Sequence, residues 1–248
     1  MSLMQYTYED LYNRVSKFLG TYGNSGPTGT DLTDAQDFVQ EGYQNFIAAA
    51  GGYVWSFLKK YSTLSTESGK YSYDLPEDYV SMIIPFRFTQ NTGYPPVTER
   101  SEDEIMELRN YNSISSWPQY YAIRAGSYTP QAGQKYEVIF WPQPDAEFVL
   151  YYQYKMNPPA LSNATDLPIG GPEMASCLLK MCLAAAEGEA DEELSVQSQR
   201  AMEALAKALD TDKERTPRRL GQNSAYAGLT AWDVARGSTR VNDVNYNV

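Results

Sequence analysis

Histidine is absent from this chain of 248 residues, and cysteine occurs only twice. Because histidine is the commonest general base and a frequent zinc ligand, its absence excludes Ser-His and Cys-His nucleophile pairs and most zinc sites. The two cysteines, Cys177 and Cys182, lie five residues apart in a segment with helical spacing, so they point to different faces. We predict buried, unpaired thiols in a reducing compartment.

Long apolar runs and excess positive charge are also missing. No apolar run approaches the roughly 20 residues that span a bilayer, and the start of the chain shows no signal-peptide pattern. The chain carries 20 basic and 31 acidic residues, a net charge of −11. A duplex-DNA binder needs a basic footprint, and anionic membranes also attract basic surfaces. We therefore predict no membrane partner and no specific DNA binding; the acidic balance fits a solvated surface or a pore wall that repels DNA.

Tyrosine is abundant, with 21 copies. Tyrosine buries its ring while its hydroxyl stays hydrogen-bonded or wet, which suits interfaces, although a tyrosine-rich β core explains it equally well. The most informative stretch is Trp141-Pro142-Gln143-Pro144-Asp145, followed by alternating Phe148, Leu150, Tyr152 and Tyr154 and then by Asn157-Pro158-Pro159. This pattern predicts a strand, a proline-stiffened turn, a second strand and a stop.

Three capping patterns predict helix starts. Thr7 with two following carboxylates opens a helix that Gly20 ends, Thr33-Asp34-Ala35-Gln36 opens a second, and Ser101-Glu102-Asp103-Glu104 opens a short third helix. After the Gly- and Pro-rich boundary at 168–172, apolar residues recur at helical spacing to Asp210, with a break at 187–191.

Alternating apolar residues predict strands between these helices. Tyr53, Trp55 and Phe57 alternate like a strand, although an extension of the preceding helix is the alternative; further strands are predicted at 71–75, 82–88, 120–124, 136–141 and 148–156. Because turns connect these strands and one short helix interrupts them, we predict antiparallel pairing. The predicted class is α+β: a helical core formed by N- and C-terminal helices (4–52 and 168–210), an inserted antiparallel β domain (53–167) and an extended, flexible C-terminal tail (211–248).

The tail differs from the rest in composition. Residues 211–248 contain six basic and four acidic residues, a net charge of +2, which leaves −13 for residues 1–210. The tail has few apolar residues, and these are isolated anchors: Tyr226, Leu229, Trp232, Val234 and Tyr246. Such a segment cannot bury enough surface to fold alone, so we interpret it as an arm that orders on a partner, with an idle mobile terminus as the alternative.

Candidate catalytic patterns are weak. The carboxylates at 102–104 and 191–193 lie at helix starts, where they complement the helix dipole, and the glycine-rich stretches lack nucleotide-binding signatures. Trp55, Trp117 and Trp141 would suit a sugar-stacking platform, but tryptophans on strands more often lie in cores or interfaces. We predict no catalytic residue, no cofactor and no metal.

The order of motifs resembles the head–tail adaptor proteins of tailed bacteriophages over residues 6–210. The resemblance rests on Trp55-x-Phe57, Leu75-Pro76-x-Asp78-Tyr79, Trp117-Pro118-x-Tyr120-Tyr121, Phe140-Trp141-Pro142-x-Pro144-Asp145, Tyr154-x-x-Asn157-Pro158, Pro168-x-Gly170-Gly171 and Leu183-Ala184-x-x-Glu187.

The resemblance implies a structural virion protein, not an enzyme. Such adaptors form a ring, usually twelve-fold, that docks on the portal at the head–tail junction and carries tail or nozzle proteins, while DNA passes through; assembly takes place in the host cytoplasm. Their C-terminal arms reach onto the portal, which suggests portal contacts by Arg218, Arg219, Tyr226, Leu229, Trp232 and Tyr246. The alternatives are a carbohydrate-binding module of a phage tail or surface protein and a hydrolase with paired carboxylates.

Overall fold

The computed structural model describes residues 5–23, 26–48, 52–89, 93–130, 133–188, 196–215, 238–241 and 244–247. These ranges contain five α-helices and nine strands, which confirms the α+β class. The helices are α1 (Tyr8–Leu19), α2 (Thr30–Ala48), α3 (Glu102–Tyr111), α4 (Ala175–Gly188) and α5 (Val196–Arg215). The strands are β1 (Lys59–Ser65), β2 (Ser72–Asp74), β3 (Tyr79–Phe88), β4 (Thr98–Glu99), β5 (Tyr120–Thr129), β6 (Gly133–Trp141), β7 (Val149–Met156), β8 (Ser238–Val241) and β9 (Val244–Asn247).

The chain divides into two compact units. The helical unit comprises Met1–Ser62, Pro76–Ile83 and Gln153–Arg215, and the β unit comprises Thr63–Leu75, Ile84–Tyr152 and Thr216–Val248. No helix in the described part of the chain is both long enough and apolar enough to cross a membrane.

Two helix starts show how local sequence sets the helix bounds. Thr7 caps α1 as predicted, Asp10 completes a reciprocal capping box with it, and Gly20 ends that helix in the left-handed conformation (φ 76°). The capping box predicted at Thr33 is wrong, because α2 begins at Thr30. The Thr33 hydroxyl donates back to the Gly29 carbonyl oxygen (3.3 Å), so Thr33 lies inside the helix.

The core of the helical unit joins faces of α1, α2, α4 and α5. Its fully or almost fully buried side chains include Leu11 and Val15 of α1, Val39 and Phe46 of α2, and Leu178 and Cys182 of α4, and α5 adds the buried residues Ala204 and Ala208. Both cysteines are buried and free, as predicted. Burial raises the pKa of the Cys177 thiol to about 11 and that of Cys182 to about 12, so both stay protonated near neutral pH.

Helices α2 and α4 approach each other closely at Gly42. A methyl group added to Gly42 would lie 2.7 Å from the backbone nitrogen of Cys182 and closer still to its Cα. The absence of a side chain at Gly42 therefore sets the spacing of these two helices.

The aromatic block at 53–57 does not form the predicted strand. A single 3₁₀ turn, Ser56–Leu58, follows Trp55, and β1 begins only at Lys59. The Ser56 backbone N–H donates to the carboxylate of Asp212 (2.8 Å) instead of a neighbouring strand. Trp55 is fully buried, with its ring 5.1 Å from that of Phe46.

The β unit contains a four-stranded sheet in the order β2-β6-β5-β4. Strand β6 pairs antiparallel with β2 and with β5, placing Ala122 opposite Ile139. The expectation of purely antiparallel pairing is wrong at one edge, where β4 runs parallel to β5 with Thr98 opposite Tyr120. Helix α3 lies between these two strands in the chain, and a helical crossover returns the chain in the same direction.

Aromatic rings fill the core of the β unit. Phe86 lies with its ring centroid 4.7 Å from Tyr152, 5.0 Å from Tyr121 and 5.3 Å from Phe140, and all four side chains are almost fully buried. A second, three-stranded sheet has the order β1-β7-β3.

The C-terminal segment contains a short antiparallel hairpin that was not predicted. Strand β8 pairs with β9, with Thr239 opposite Tyr246 and Val241 opposite Val244. The hairpin strands carry β-branched and aromatic residues at alternate positions, which favours strands. Composition averaged over the whole tail hides this signal.

Candidate functional site

Most residues predicted to contact the portal lie outside the described residues. This applies to Arg218, Arg219, Tyr226, Leu229 and Trp232. Tyr246 lies on β9 opposite Thr239. The structure therefore does not test these contacts, and they stay predictions.

The structure describes the start of the C-terminal segment, residues 211–215. Helix α5 runs to Arg215, five residues beyond the predicted end at Asp210. Its last turn contains Asp212, which is fully buried. The Asp212 carboxylate accepts hydrogen bonds from the Tyr53 hydroxyl (2.9 Å), the Ser56 backbone N–H (2.8 Å) and the Ser56 hydroxyl. These donors satisfy buried carboxylate oxygens, which would be costly to leave without hydrogen bonds.

Two further contacts hold the same turn of α5. Arg215 forms an ion pair with Glu173, and the Lys213 ammonium group lies 5.8 Å from the centre of the Tyr53 ring. We call Asp212, Arg215, Tyr53, Ser56 and Glu173 the α5 clasp. The buried positions 201, 204 and 208 continue at helical spacing to 212, but residue 212 is an aspartate, so the apolar pattern in the sequence ends before it.

Helix α2 presents an acidic surface. Asp31, Asp34, Asp37 and Glu41 recur at spacings of three and four residues and are all exposed, and α2 contains no basic residue. Such a surface repels phosphate groups and does not hold them.

The acidic cluster at the start of α3 serves structural roles. Glu104 accepts a hydrogen bond from the backbone N–H of Ser101 and completes the cap, as predicted. Glu102 pairs with Arg124 at 3.4 Å. The other cluster, 191–193, lies outside the described residues. Helix capping and ion pairing account for Glu102 and Glu104 without an acid–base pair.

Glu137 is a partly buried carboxylate of the β unit with two side-chain partners. It accepts hydrogen bonds from the Ser72 hydroxyl and from Arg124 Nε (2.5 Å). The bond from Ser72, together with Arg124, lowers the pKa of Glu137 despite partial burial. The group is therefore ionised in the folded protein over a wider pH range than a free glutamate.

A comparable network lies in the helical unit around Tyr154. The Tyr154 hydroxyl donates to Asp78 (2.7 Å), and Asp78 also pairs with Lys60 (2.8 Å). Burial and the bond to Asp78 raise the pKa of Tyr154 to about 12. Burial alone would raise the pKa of Asp78, but the bonds from Lys60 and Tyr154 outweigh it and lower that pKa. Tyr154 therefore stays protonated and acts as a hydrogen-bond donor.

The platform of three tryptophans considered for sugars is wrong. Trp55 is fully buried in the core of the helical unit, so it cannot contact a ligand at the surface. In the β unit, Trp117 stacks on Tyr94 (5.1 Å between ring centroids) and Trp141 stacks on Tyr120 (6.0 Å).

An open cleft of about 650 Å³ lies beside Trp141 in the β unit. It is formed by residues of α3, β5 and β6 and the segments next to them, and its lining includes Arg100, Glu104, Glu107, Tyr111, Tyr120 and Trp141. Among the described residues, no group of three or more carboxylate or thiol side chains is arranged to hold a metal ion.

Comparison with protein families decides among these interpretations. The chain matches the family model described as SU10 adaptor protein over residues 6–225. It belongs to the SU10 adaptor protein family. This is a bacteriophage head–tail adaptor family of structural proteins, so the chain is a structural component of a phage virion, and the resemblance predicted from its motifs is confirmed. No curated protein matches the chain.

The SU10 adaptor match extends beyond the resemblance drawn from the motifs, which ends at residue 210. It includes the α5 clasp, Arg218 and Arg219, and it ends before Tyr226. The aromatic anchors predicted in the tail and the β8–β9 hairpin therefore lie outside the matched range.

Proposed function

We propose that this SU10 adaptor is the subunit of a ring that docks on the portal and joins the DNA-filled head to the tail. The ring would contain twelve copies, bind the portal on one side and tail or nozzle proteins on the other, and assemble in the host cytoplasm. The observation that carries this proposal is the family match over residues 6–225, which covers the described helices and strands of both units up to Arg215.

The α5 clasp supports the proposal that the segment after it is a docking arm. Because Asp212 and Arg215 are held by the helical unit, the chain leaves that unit at a fixed point. We propose that residues 216–248 form the arm, with portal contacts by Arg218, Arg219, Tyr226, Leu229, Trp232 and Tyr246. Aromatic and arginine side chains typically dominate the binding energy of protein interfaces.

The negative charge of residues 1–210 supports the proposal that DNA passes through the ring without being bound. Residues 1–210 carry a net charge of −13, and α2 exposes four carboxylates without a compensating cation in the same helix. A surface of this sign in a channel would let a duplex slide without retaining it.

The arm is tested by two truncations that differ only in the clasp. Removing residues 216–248 should leave the helical content unchanged and abolish co-sedimentation with portal rings. Removing residues 211–248 also deletes Asp212 and should lower the thermal stability of the helical unit, because Ser56 and Tyr53 lose their buried acceptor. Undiminished portal binding by the 216–248 deletion would overturn the arm.

A further inference from the structure

The open cleft of the β unit combines aromatic rings with carboxylates. The rings of Trp141 and Tyr120 stack on each other in its wall. Tyr111, at the end of α3, also lines the cleft and is 84% exposed. A tyrosine this exposed buries little apolar surface within its own chain. Its ring is available to another molecule.

The rings of this region already bind guanidinium groups of the same chain. The Arg100 guanidinium lies 5.2 Å from the centre of the Tyr120 ring, and the Arg109 guanidinium lies 3.2 Å from that of Tyr71. Both distances are within the range of cation–π attraction. Cation–π contacts of the kind that the cleft would offer to a bound guanidinium group are therefore already present between residues of this chain.

The charge around the cleft favours a cationic guest. The segment 99–109 contains five carboxylates and two arginines. Glu104 pairs with Arg100 at 3.7 Å. Within the ranges that the structure describes, no hydrogen bond or ion pair joins the Glu107 carboxylate to another residue, although Glu107 lines the cleft. Glu107 is thus an available carboxylate beside exposed rings.

We propose that this cleft binds an arginine side chain presented by a peptide segment of a protein partner. A planar guanidinium stacks on Tyr111 or Trp141 while its N–H groups donate to Glu107, a combination that a compact lysine ammonium matches less well. A neutral sugar would use the rings but leave the carboxylate without a partner. This proposal does not depend on ring formation or on portal docking.

The test uses the full-length chain and a short capped Gly-Arg-Gly peptide, with binding followed by NMR chemical shifts of the protein. The matched peptide carries citrulline, which keeps the planar shape but has no charge. We expect saturable binding of the arginine peptide at millimolar concentration, weaker binding as salt rises, and weaker binding of the citrulline peptide.

Three variants locate the binding site. Tyr111→Ala and Glu107→Gln should each weaken binding of the arginine peptide by about two- to five-fold, the range expected for an exposed cation–π or ion-pair contact. Tyr128→Ala is the control, since Tyr128 is also exposed but does not line the cleft. Circular dichroism checks that each variant is folded.

Several results would overturn the proposal. These are absence of saturable binding, equal binding of the citrulline peptide, equal binding by Tyr111→Ala and Glu107→Gln, or an equal loss in Tyr128→Ala. Tighter binding of a maltose oligosaccharide than of the arginine peptide at Tyr111 and Trp141 would also overturn it and would assign the cleft to carbohydrate.

Discussion

The helical unit and the β unit depend on opposite features of their side chains. Helices α2 and α4 pack closely because Gly42 has no side chain facing Cys182, whereas the β unit is filled by rings that converge on Phe86. The stability of the helical unit should therefore fall when atoms are added at the contact between Gly42 and Cys182. The β unit should be sensitive to atoms removed from its centre.

The largest expected effect is the loss of the central ring of the β unit. Phe86→Ala removes contacts with three other aromatic rings and should destabilise the protein by about 3–5 kcal/mol. Urea unfolding followed by circular dichroism measures the change. Tyr128→Ala, at an exposed tyrosine of the same unit, should change stability by no more than about 0.5 kcal/mol. Equal effects of the two substitutions would contradict the assigned core.

The next effect is the addition of one methyl group to the helical unit. Gly42→Ala forces the new Cβ against the Cys182 backbone and should cost about 1–3 kcal/mol, although alanine is the better helix former. Gly188→Ala is the matched control, because nothing lies within 4 Å of a Cβ added there. A thermal denaturation series compares the two. If Gly42→Ala is as stable as the parent protein, α2 and α4 do not approach as described.

A buried polar contact offers a third comparison. Asp212→Ala removes the acceptor for Ser56 and Tyr53 and should destabilise the helical unit by about 1–3 kcal/mol. Asp210→Ala, two residues earlier on an exposed position of α5, should have little effect. The pair is measured by urea unfolding. A loss of the same size at Asp210 would show that the clasp adds nothing specific.

The smallest expected effect is the contribution of Glu137 to the pH dependence of the free energy of unfolding. The folded-state pKa of Glu137 is lowered, so its stabilising contribution is present above the unfolded pKa of about 4.3 and is lost as the pH falls through the folded value. Between neutral pH and this acidic range, the free energy of unfolding should fall more steeply for the parent than for Glu137→Gln. Identical slopes would mean that the Ser72 and Arg124 bonds do not favour the ionised form.

Local signals in the sequence predicted a large part of the fold. The caps at Thr7 and Ser101 and the stop at Gly20 were predicted because each depends on residues within one turn. Several strands were predicted for the same reason, since alternation of apolar residues is visible in the sequence without knowledge of the partner strand, but the alternating block at 53–57 is not a strand.

The errors arose where distant residues decide the structure. Ser56 forms a 3₁₀ turn whose backbone is held by Asp212, 156 residues later in the chain, and no window around Tyr53 contains that information. The parallel pairing of β4 was missed because two residues are too few for a pattern. The cleft beside Trp141 was missed because its rings come from separate elements, with Tyr111 on α3, Tyr120 on β5 and Trp141 on β6.

We propose above all that this SU10 adaptor completes the phage head by forming a ring on the portal. Electron microscopy of purified portal rings with and without the full-length protein tests it most directly. We predict an added ring of density on one face of the portal, and a shorter or absent attachment with the 216–248 deletion. Portal rings that remain unchanged at saturating protein would contradict the claim.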